Sequence, residues 1–363
     1  MVLPKMHTPS SGLTIRSLSL YLSLCRQGEV QPEWVLAGGY PERPSMNLLV
    51  IPWPFDISPS QFTEVHGLKE ELKNMPAEFG FFVFSQRPRS ASNDVLTVVK
   101  SLFRKAKEEM GRIDGVVLPE LSITENDHEK VSEFVLSEGA FLVAGVGEES
   151  RTASKHSKNL ACLDIPFQKS ILQRKHHRWK LDSSQIRQYG LGGRLDPQRQ
   201  FWEHIDVSER RLVFASLQPS LVMTVLICED LARPDPVGDL VRCVGPNLVI
   251  ALLMDGPQLR ARWPGRYAMS LADDPGSSVL SVTSLGMSKL SRPFDSSISR
   301  SRVVALWKDA TSPTSTEIEL PDKCEAIVLS LSTEHREEWT ADGRSDNGGA
   351  GFPTLSGIRG IAC

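Results

Sequence analysis

The chain has 363 residues, with 41 Lys plus Arg against 44 Asp plus Glu and a formal net charge of −3. That length carries one large or two ordinary domains, and 40% hydrophobic with 23% charged residues is the balance of a folded globular protein, which excludes disordered and collagen-like chains. The near-neutral charge gives no global electrostatic basis for binding nucleic acid directly or a membrane surface, so any partner has to be argued from a site.

Residues 1–77 are rich in Pro, Ser and Gly and read as an N-terminal extension. Within it Leu18–Leu24 alternates like a half-buried strand, and the apolar Asn47–Pro54 segment leads into the first strand of the main domain or supplies it. The main domain is expected over residues 78–335. Phe81–Phe84 reads as a short buried strand, and Asn93 or Asp94 is placed to cap a helix whose Leu96, Val99, Leu102, Phe103, Ala106 and Met110 share one face, ending at Gly111. A strand from Gly115 to Glu120, a helix from Asp127 to Glu138 and a strand from Phe141 to Val146 follow. Strand signals recur at Asn159–Ile165 and Ser170–Arg174. The polar stretch from Asp182 to Glu209 reads as a surface insertion without a core.

Regular pattern returns with a strand at Leu221–Ile227, a helix near Pro236–Cys243, a strand at Leu248–Leu253, a helix starting near Pro264 and a strand at Ser278–Ser284. Arg302–Trp307 and Glu325–Leu331 look like a pair of strands around a polar loop, and the Gly-rich tail 336–363 reads as irregular. Alternating strands and helices imply a layered α/β fold. Six cysteines at positions 25, 162, 228, 243, 324 and 363 form no CxxC pair and read as reduced thiols. The apolar runs are far shorter than the ~20 residues that span a bilayer, and the N-terminus has no apolar block followed by small residues. A cytoplasmic protein is expected.

Three short stretches carry chemistry. Val116–Glu120 is an apolar strand ending in Pro and a carboxylate, and strand ends are where sites collect in α/β folds. Val225–Asp230 is another apolar strand, ending in Cys228 followed by Glu229 and Asp230. A thiol at such an elbow can be a nucleophile facing backbone N–H groups, once a base or a cation activates it. Arg174-Lys-His-His-Arg-Trp-Lys180 supplies cations able to stabilise an oxyanion. Taken singly, each has a plain structural reading: a solvated loop carboxylate, a small buried thiol, a solvated basic loop.

In order, the three resemble the carbon–nitrogen hydrolase (nitrilase and amidase) superfamily, which places Glu after a strand-terminal Pro, Lys in a motif like Arg-Lys-x-His, and Cys at the end of an apolar strand. Here those are Pro119-Glu120, Arg174-Lys175-His176-His177 and Ile227-Cys228-Glu229-Asp230, the last like the glutamine-hydrolysing domains of NAD synthetases. Residues 246–253, 266–272 and 278–284 resemble the strand, helix and strand that follow the nucleophile, and the resemblance covers roughly residues 78–335. It implies a four-layer αββα sandwich with the N-terminal extension attached, and hydrolysis of an amide or nitrile through a thioester on Cys228. By the same resemblance Glu120 is general base and acid, Lys175 stabilises the tetrahedral intermediate, and Glu229, through its N–H, and His177 bind the oxyanion or substrate. No metal or cofactor is expected, and such domains generally assemble as homo-oligomers.

Lys180 is the alternative to Lys175, which the following His177 favours. The second glutamate that many members place after the lysine finds no match, and Asp273-Asp274 stands where members commonly have Glu-Asn. A second reading keeps the fold and makes it a binding or regulatory module, since nitrilase-like domains also stand beside bacterial reverse transcriptases in phage defence. Other signals fail on context. Leu271-Ala-Asp-Asp274 lacks companion polymerase motifs, His176, His177 and His204 lack zinc spacing, and no GxSxG elbow exists.

Overall fold

The apolar strand that carries Glu120 continues past it to Thr124 and lies in a different sheet from the one that leads to Cys228, and the packing of those sheets brings the two residues to one region. In the computed structural model the described residues are 2–4, 22–24, 30–37, 43–67, 76–86, 94–148, 156–218, 221–291, 301–335, 338–339, 345–346 and 351–362, with backbone alone for 2–4, 22–24, 335, 338–339, 345–346 and 351. The strands are β1 (Gln31–Leu36), β2 (Ser45–Val50), β3 (Phe62–Glu64), β4 (Phe79–Phe84), β5 (Gly115–Thr124), β6 (Phe141–Glu148), β7 (Lys158–Asp164), β8 (Ile171–Arg174), β9 (Lys180–Leu181) and β10 (Gln200–Glu203). They continue with β11 (Arg211–Gln218), β12 (Leu221–Ile227), β13 (Leu248–Leu253), β14 (Ser278–Thr283), β15 (Val303–Lys308), β16 (Thr316–Glu319), β17 (Ala326–His335) and β18 (Gly351–Ile361).

One seven-stranded sheet runs β8-β7-β6-β5-β2-β17-β18, with β2, β5 and β6 parallel at its centre. The other runs β16-β15-β14-β13-β12-β11-β1, with β12, β13 and β14 parallel. The three parallel strands of the second sheet are buried along their whole length, as strands covered on both faces must be. Val50, Val117, Val143 and Leu163 of the first sheet share a core with Phe214, Val225, Ile250 and Leu306 of the second. On the outer face of the first lie α1 (Val95–Met110) and α2 (Glu125–Ser137); after the short α3 (Ser183–Gln188) and α4 (Glu229–Ala232), the outer face of the second carries α5 (Asp239–Val244) and α6 (Trp263–Asp273). The protein is therefore a four-layer αββα sandwich.

Local chemistry accounts for the helices. The Asp94 side chain accepts from Thr97 N–H at the start of α1, and Gly111 closes it at φ +76°, a conformation that favours glycine. Its buried stripe of Val95, Val99, Leu102, Phe103 and Ala106 holds it to the sheet, and Phe103→Ala alone costs about 3–5 kcal/mol. At α2 the Thr124 and Asp127 side chains cap each other's backbone N–H. No helix among the described residues is long and apolar enough to cross a membrane.

Five expectations change. The extension is not outside the sandwich: β2 is an interior strand of one sheet and β1 an edge of the other, and within the alternating Leu18–Leu24 stretch only Leu22–Leu24 is described, paired with Val2–Pro4. The segment after Asp182 is not a coreless surface insertion. Leu181, Ile186, Tyr189, Leu191, Leu195 and Phe201 are buried with Phe62, Phe82 and Trp179 beneath a small sheet, β9-β10-β4-β3. The Phe81–Phe84 strand accordingly belongs to this small sheet.

The strands at 303–308 and 326–335 do not pair. The first joins β14 and β16, the second joins β2 and β18 in the opposite sheet. The tail is not irregular over its last part, because β18 pairs along the length of β17, with Pro353 tolerated on an edge strand.

Candidate active site

Glu120 is aimed by a break in the sheet. The β5–β6 register runs evenly to Leu118 and resumes at Ile123, so Pro119–Ser122 occupy the span opposite Gly145. Bulges of this kind bend a strand and redirect its side chains. Leu121 sits at φ +49°, a left-handed conformation that a branched side chain adopts only under constraint. Gly145 is needed there, since a Cβ would lie 2.3 Å from the Pro119 carbonyl oxygen and 2.4 Å from the Glu120 Cα.

Lys175 follows β8, and its backbone N–H bonds the Asn159 carbonyl at 3.0 Å. Its side chain is 0% exposed as a residue, and Nζ donates to Glu120 Oε1 at 2.8 Å and to Glu203 Oε2 at 2.7 Å. Asn159 Nδ2 bridges the same two carboxylates, at 2.8 Å to Glu120 and 2.6 Å to Glu203, and Trp179 N–H donates to Glu203 at 3.2 Å. Two oxygens of this cluster are left over: Glu120 Oε2 and Asn159 Oδ1 are buried and meet no donor among the described residues, and of the two only the carboxylate oxygen can take up a proton. Lys180, the alternative lysine, is exposed, with Nζ 5.4 Å from the centre of the Trp202 ring.

Glu203 is the functional candidate that sequence reasoning missed. It ends β10, inside the segment taken for a coreless insertion. The signal was present in Gln200-Phe-Trp-Glu203, a short strand pattern closing on a carboxylate as Val116–Glu120 does.

Cys228 follows β12 directly at φ +47°, ψ −108°, a strained elbow, and its N–H donates to Leu252 O at 2.9 Å. It is 2% exposed. Burial, joined by the Glu120 charge and opposed by Lys175, holds the thiol well above its ordinary range. Burial also raises Glu120, with Lys175 pulling the other way. For Lys175 burial would lower the ammonium, but the carboxylates of Glu120 and Glu203 outweigh it and keep the charge firmly in place.

The acids beyond the thiol have separate tasks. Asp230 is buried and accepts from four groups: the backbone N–H of His176 and of His177, and both ring Nδ1 atoms, at 2.9–3.2 Å. Despite burial, those bonds lower it to about 2. This carboxylate pins the loop carrying Lys175 to the turn carrying Cys228. The His177 ring is thereby spent, on Asp230 and on the Asp235 carbonyl at 3.1 Å, so it holds the loop instead of facing a substrate as expected. The Glu229 carboxylate pairs with Arg233 at 3.4 Å, leaving only its N–H as a candidate oxyanion donor. Asp273 and Asp274 are exposed at the end of α6.

A different buried cluster, His128, Cys162 and Asp164, brings one ligand atom from each residue within 4.8 Å of the others. His128 Nε2 and Asp164 Oδ2 already bond at 2.6 Å and Ser170 Oγ donates to Asp164, so the cluster's main polar groups have partners without an ion.

No family model matches the sequence, and no curated protein matches it. Solved structures do match. The Nesterenkonia AN1 amidase from the nitrilase superfamily is 10% identical, with 79% of this chain and 91% of that chain covered and a TM-score of 0.48. Nit3 of Saccharomyces cerevisiae, a member of branch 10 of the nitrilase superfamily, is 13% identical over 79% of this chain and 90% of that chain, again at 0.48. The chain is similar to nitrilase-superfamily amidases. A further match is a mutant of the Nesterenkonia amidase in complex with butyramide, at 11% identity, 80% and 92% coverage and 0.48.

Proposed function

We propose that the protein is a carbon–nitrogen hydrolase of the nitrilase superfamily, with Cys228 as nucleophile and a small amide as substrate. The observation that carries this reading is the buried Glu120–Lys175–Glu203 cluster with one Glu120 oxygen left over, in a site that also holds a strained thiol at a strand end.

Sγ attacks the carbonyl carbon while Glu120 Oε2 takes the thiol proton. As the S–C bond forms, the carbonyl electrons move to oxygen, where the Lys175 ammonium and the Glu229 N–H offset the charge. The proton on Glu120 passes to the leaving nitrogen, the C–N bond breaks, and a thioester remains. Glu120 then deprotonates a water that attacks the thioester, and the released thiolate regains the proton. Glu203 and Asn159 act as positioning residues, fixing Lys175 and Glu120 before substrate arrives. Each catalytic role of this kind contributes about 10² to 10⁴ in rate.

The test is ammonia release from a panel of primary amides, with Cys228→Ala, Glu120→Gln and Lys175→Met measured beside the wild type. Each variant is expected to lose at least about 10²-fold, and intact mass should show an acyl adduct on the wild type but not on Cys228→Ala. Turnover at the wild-type rate by Cys228→Ala, or unchanged biological function of that variant with no amide turned over by either, would overturn the reading and favour a binding module.

A further inference from the structure

Asp255 lies two residues past the end of β13, and Cys228 lies one residue past the end of the neighbouring β12, bonded to Leu252 of β13. The Asp255 main chain is tied to the next strand, where Thr283 Oγ1 donates to its carbonyl oxygen at 2.5 Å. A second route reaches the same place from the small sheet. Trp179 N–H donates to Glu203, the Trp179 ring meets Tyr189 edge-on at 5.8 Å, and the Tyr189 hydroxyl donates to Asp255 Oδ1 at 2.5 Å. Asp255 thus stands on the strand end beside the one that carries the thiol, and its charge is among those that act on Cys228.

Asp255 is 5% exposed. Its Oδ1 takes both the Tyr189 hydroxyl and Arg262 Nη2, the latter at 2.6 Å, while Oδ2 is buried and meets no donor among the described residues. Buried polar atoms are almost always satisfied, and an exception asks for a cause. Glu120 Oε2 is the comparable carboxylate oxygen of this site, and the reaction uses it for the proton. Asp255 Oδ2 has no such task. Three buried carboxylates, Glu120, Glu203 and Asp255, face two cations, Lys175 and Arg262, and each cation is already bonded to a carboxylate. A substrate carboxylate would meet an excess of negative charge here, whereas a nitrogen bearing hydrogens would complete the unfilled bond.

Resting on the amide-hydrolase reading, we propose that Asp255 determines specificity: its free Oδ2 accepts a hydrogen bond from an N–H group on the acyl part of the substrate. The substrate is then an amide carrying a second nitrogen donor, an ammonium or a carboxamide, and no carboxylate. A site built to bond an N–H rejects the analogue lacking it, by up to about 10⁴-fold or more.

The experiment compares kcat/KM for four primary amides of matched chain length, ending in methyl, ammonium, carboxamide or carboxylate, on the wild type and on Asp255→Asn. The wild type is expected to favour an N–H-bearing end over methyl by at least about 100-fold and to turn over the carboxylate-ended amide least. In Asp255→Asn the oxygen stays with Tyr189 and Arg262 and Nδ2 takes the place of Oδ2, so an ammonium preference collapses to less than about tenfold, whereas a carboxamide preference persists because its carbonyl oxygen turns to accept from Nδ2, which separates the two donors. The wild-type ratio carries the test even where the variant does not fold. Equal turnover of the methyl-ended amide, or preference for the carboxylate, overturns the role of Asp255 and leaves the amide reading standing. Turnover of none of the four overturns both.

Discussion

Lys175→Met removes the ammonium that two carboxylates share. With the Lys175 and Glu120 side chains 1% exposed and that of Glu203 6%, the two acids left behind cannot fall back on water. Breaking a buried ion pair from one side costs about 3–5 kcal/mol. At about 2 °C per kcal/mol for a large domain, Tm should fall by about 6–10 °C. The deficit should also depend on pH. Without the ammonium, burial holds the proton on Glu120 still further above the ~4.3 of an unfolded Glu, so the folded variant binds more protons than its unfolded chain and gains stability as pH falls through that window. Thermal melts at pH 7.5 and pH 5 read this directly, with the larger gap expected at pH 7.5. Adding Glu203→Gln to Lys175→Met should recover about 1 kcal/mol or more, since one stranded charge is gone. A single variant melting within 1 °C of wild type at both pH values, or a double variant no better than the single, would refute the claim that charge balance holds this cluster together.

Three further outcomes follow from the geometry. Asp230→Asn removes the acceptor of four hydrogen bonds, and because the carboxylate falls from an ordinary 3.8 to about 2, wild type should lose about 2 kcal/mol between pH 5 and pH 2 that the Asn variant never had, as a stability-versus-pH series would show. Gly145→Ala drives a methyl group into the Glu120 backbone, so amide hydrolysis should drop by about 10² or more while α1 and α2 stay folded by circular dichroism. Tyr189→Phe removes the hydroxyl that donates to Asp255 and accepts Gly256 N–H at 3.1 Å, and a urea melt should show a loss of about 1–3 kcal/mol.

Two parts of this site were legible in the sequence because each follows a continuous apolar run. Val116–Leu118 and Leu221–Ile227 can only be interior strands, so the polar residues after them, Glu120 at the irregularity of β5 and Cys228 at the end of β12, marked where each run breaks, although β5 itself continues to Thr124. Lys175 was set apart from Lys180 only by the His177 that follows it. Glu203 could not, because the core beneath it is assembled from single apolar residues, Leu181, Ile186, Tyr189, Leu191 and Leu195, scattered between turns with no period to detect. The last strand hid for a related reason: Gly351, Pro353, Gly357 and Gly360 break its alternation, and only pairing with the long β17 makes those residues extended. The partner of each strand was the other illegible quantity. Arg302–Trp307 and Glu325–Leu331 are adjacent in sequence and lie in opposite sheets, a choice made by the two faces each must cover.

The candidate acid–base pair and the candidate nucleophile ride on separate sheets, Glu120 and Lys175 on one and Cys228 on the other, with Asp230 as a rivet between them. The seam of Val117, Val143, Val225 and Ile250 between those sheets therefore sets the alignment of the reacting groups as well as the stability of the fold. Substitutions that enlarge or thin this seam would slide one half of the machinery past the other, so the interior of the sandwich works as a calibrated spacer whose drift is read first in turnover and only later in melting.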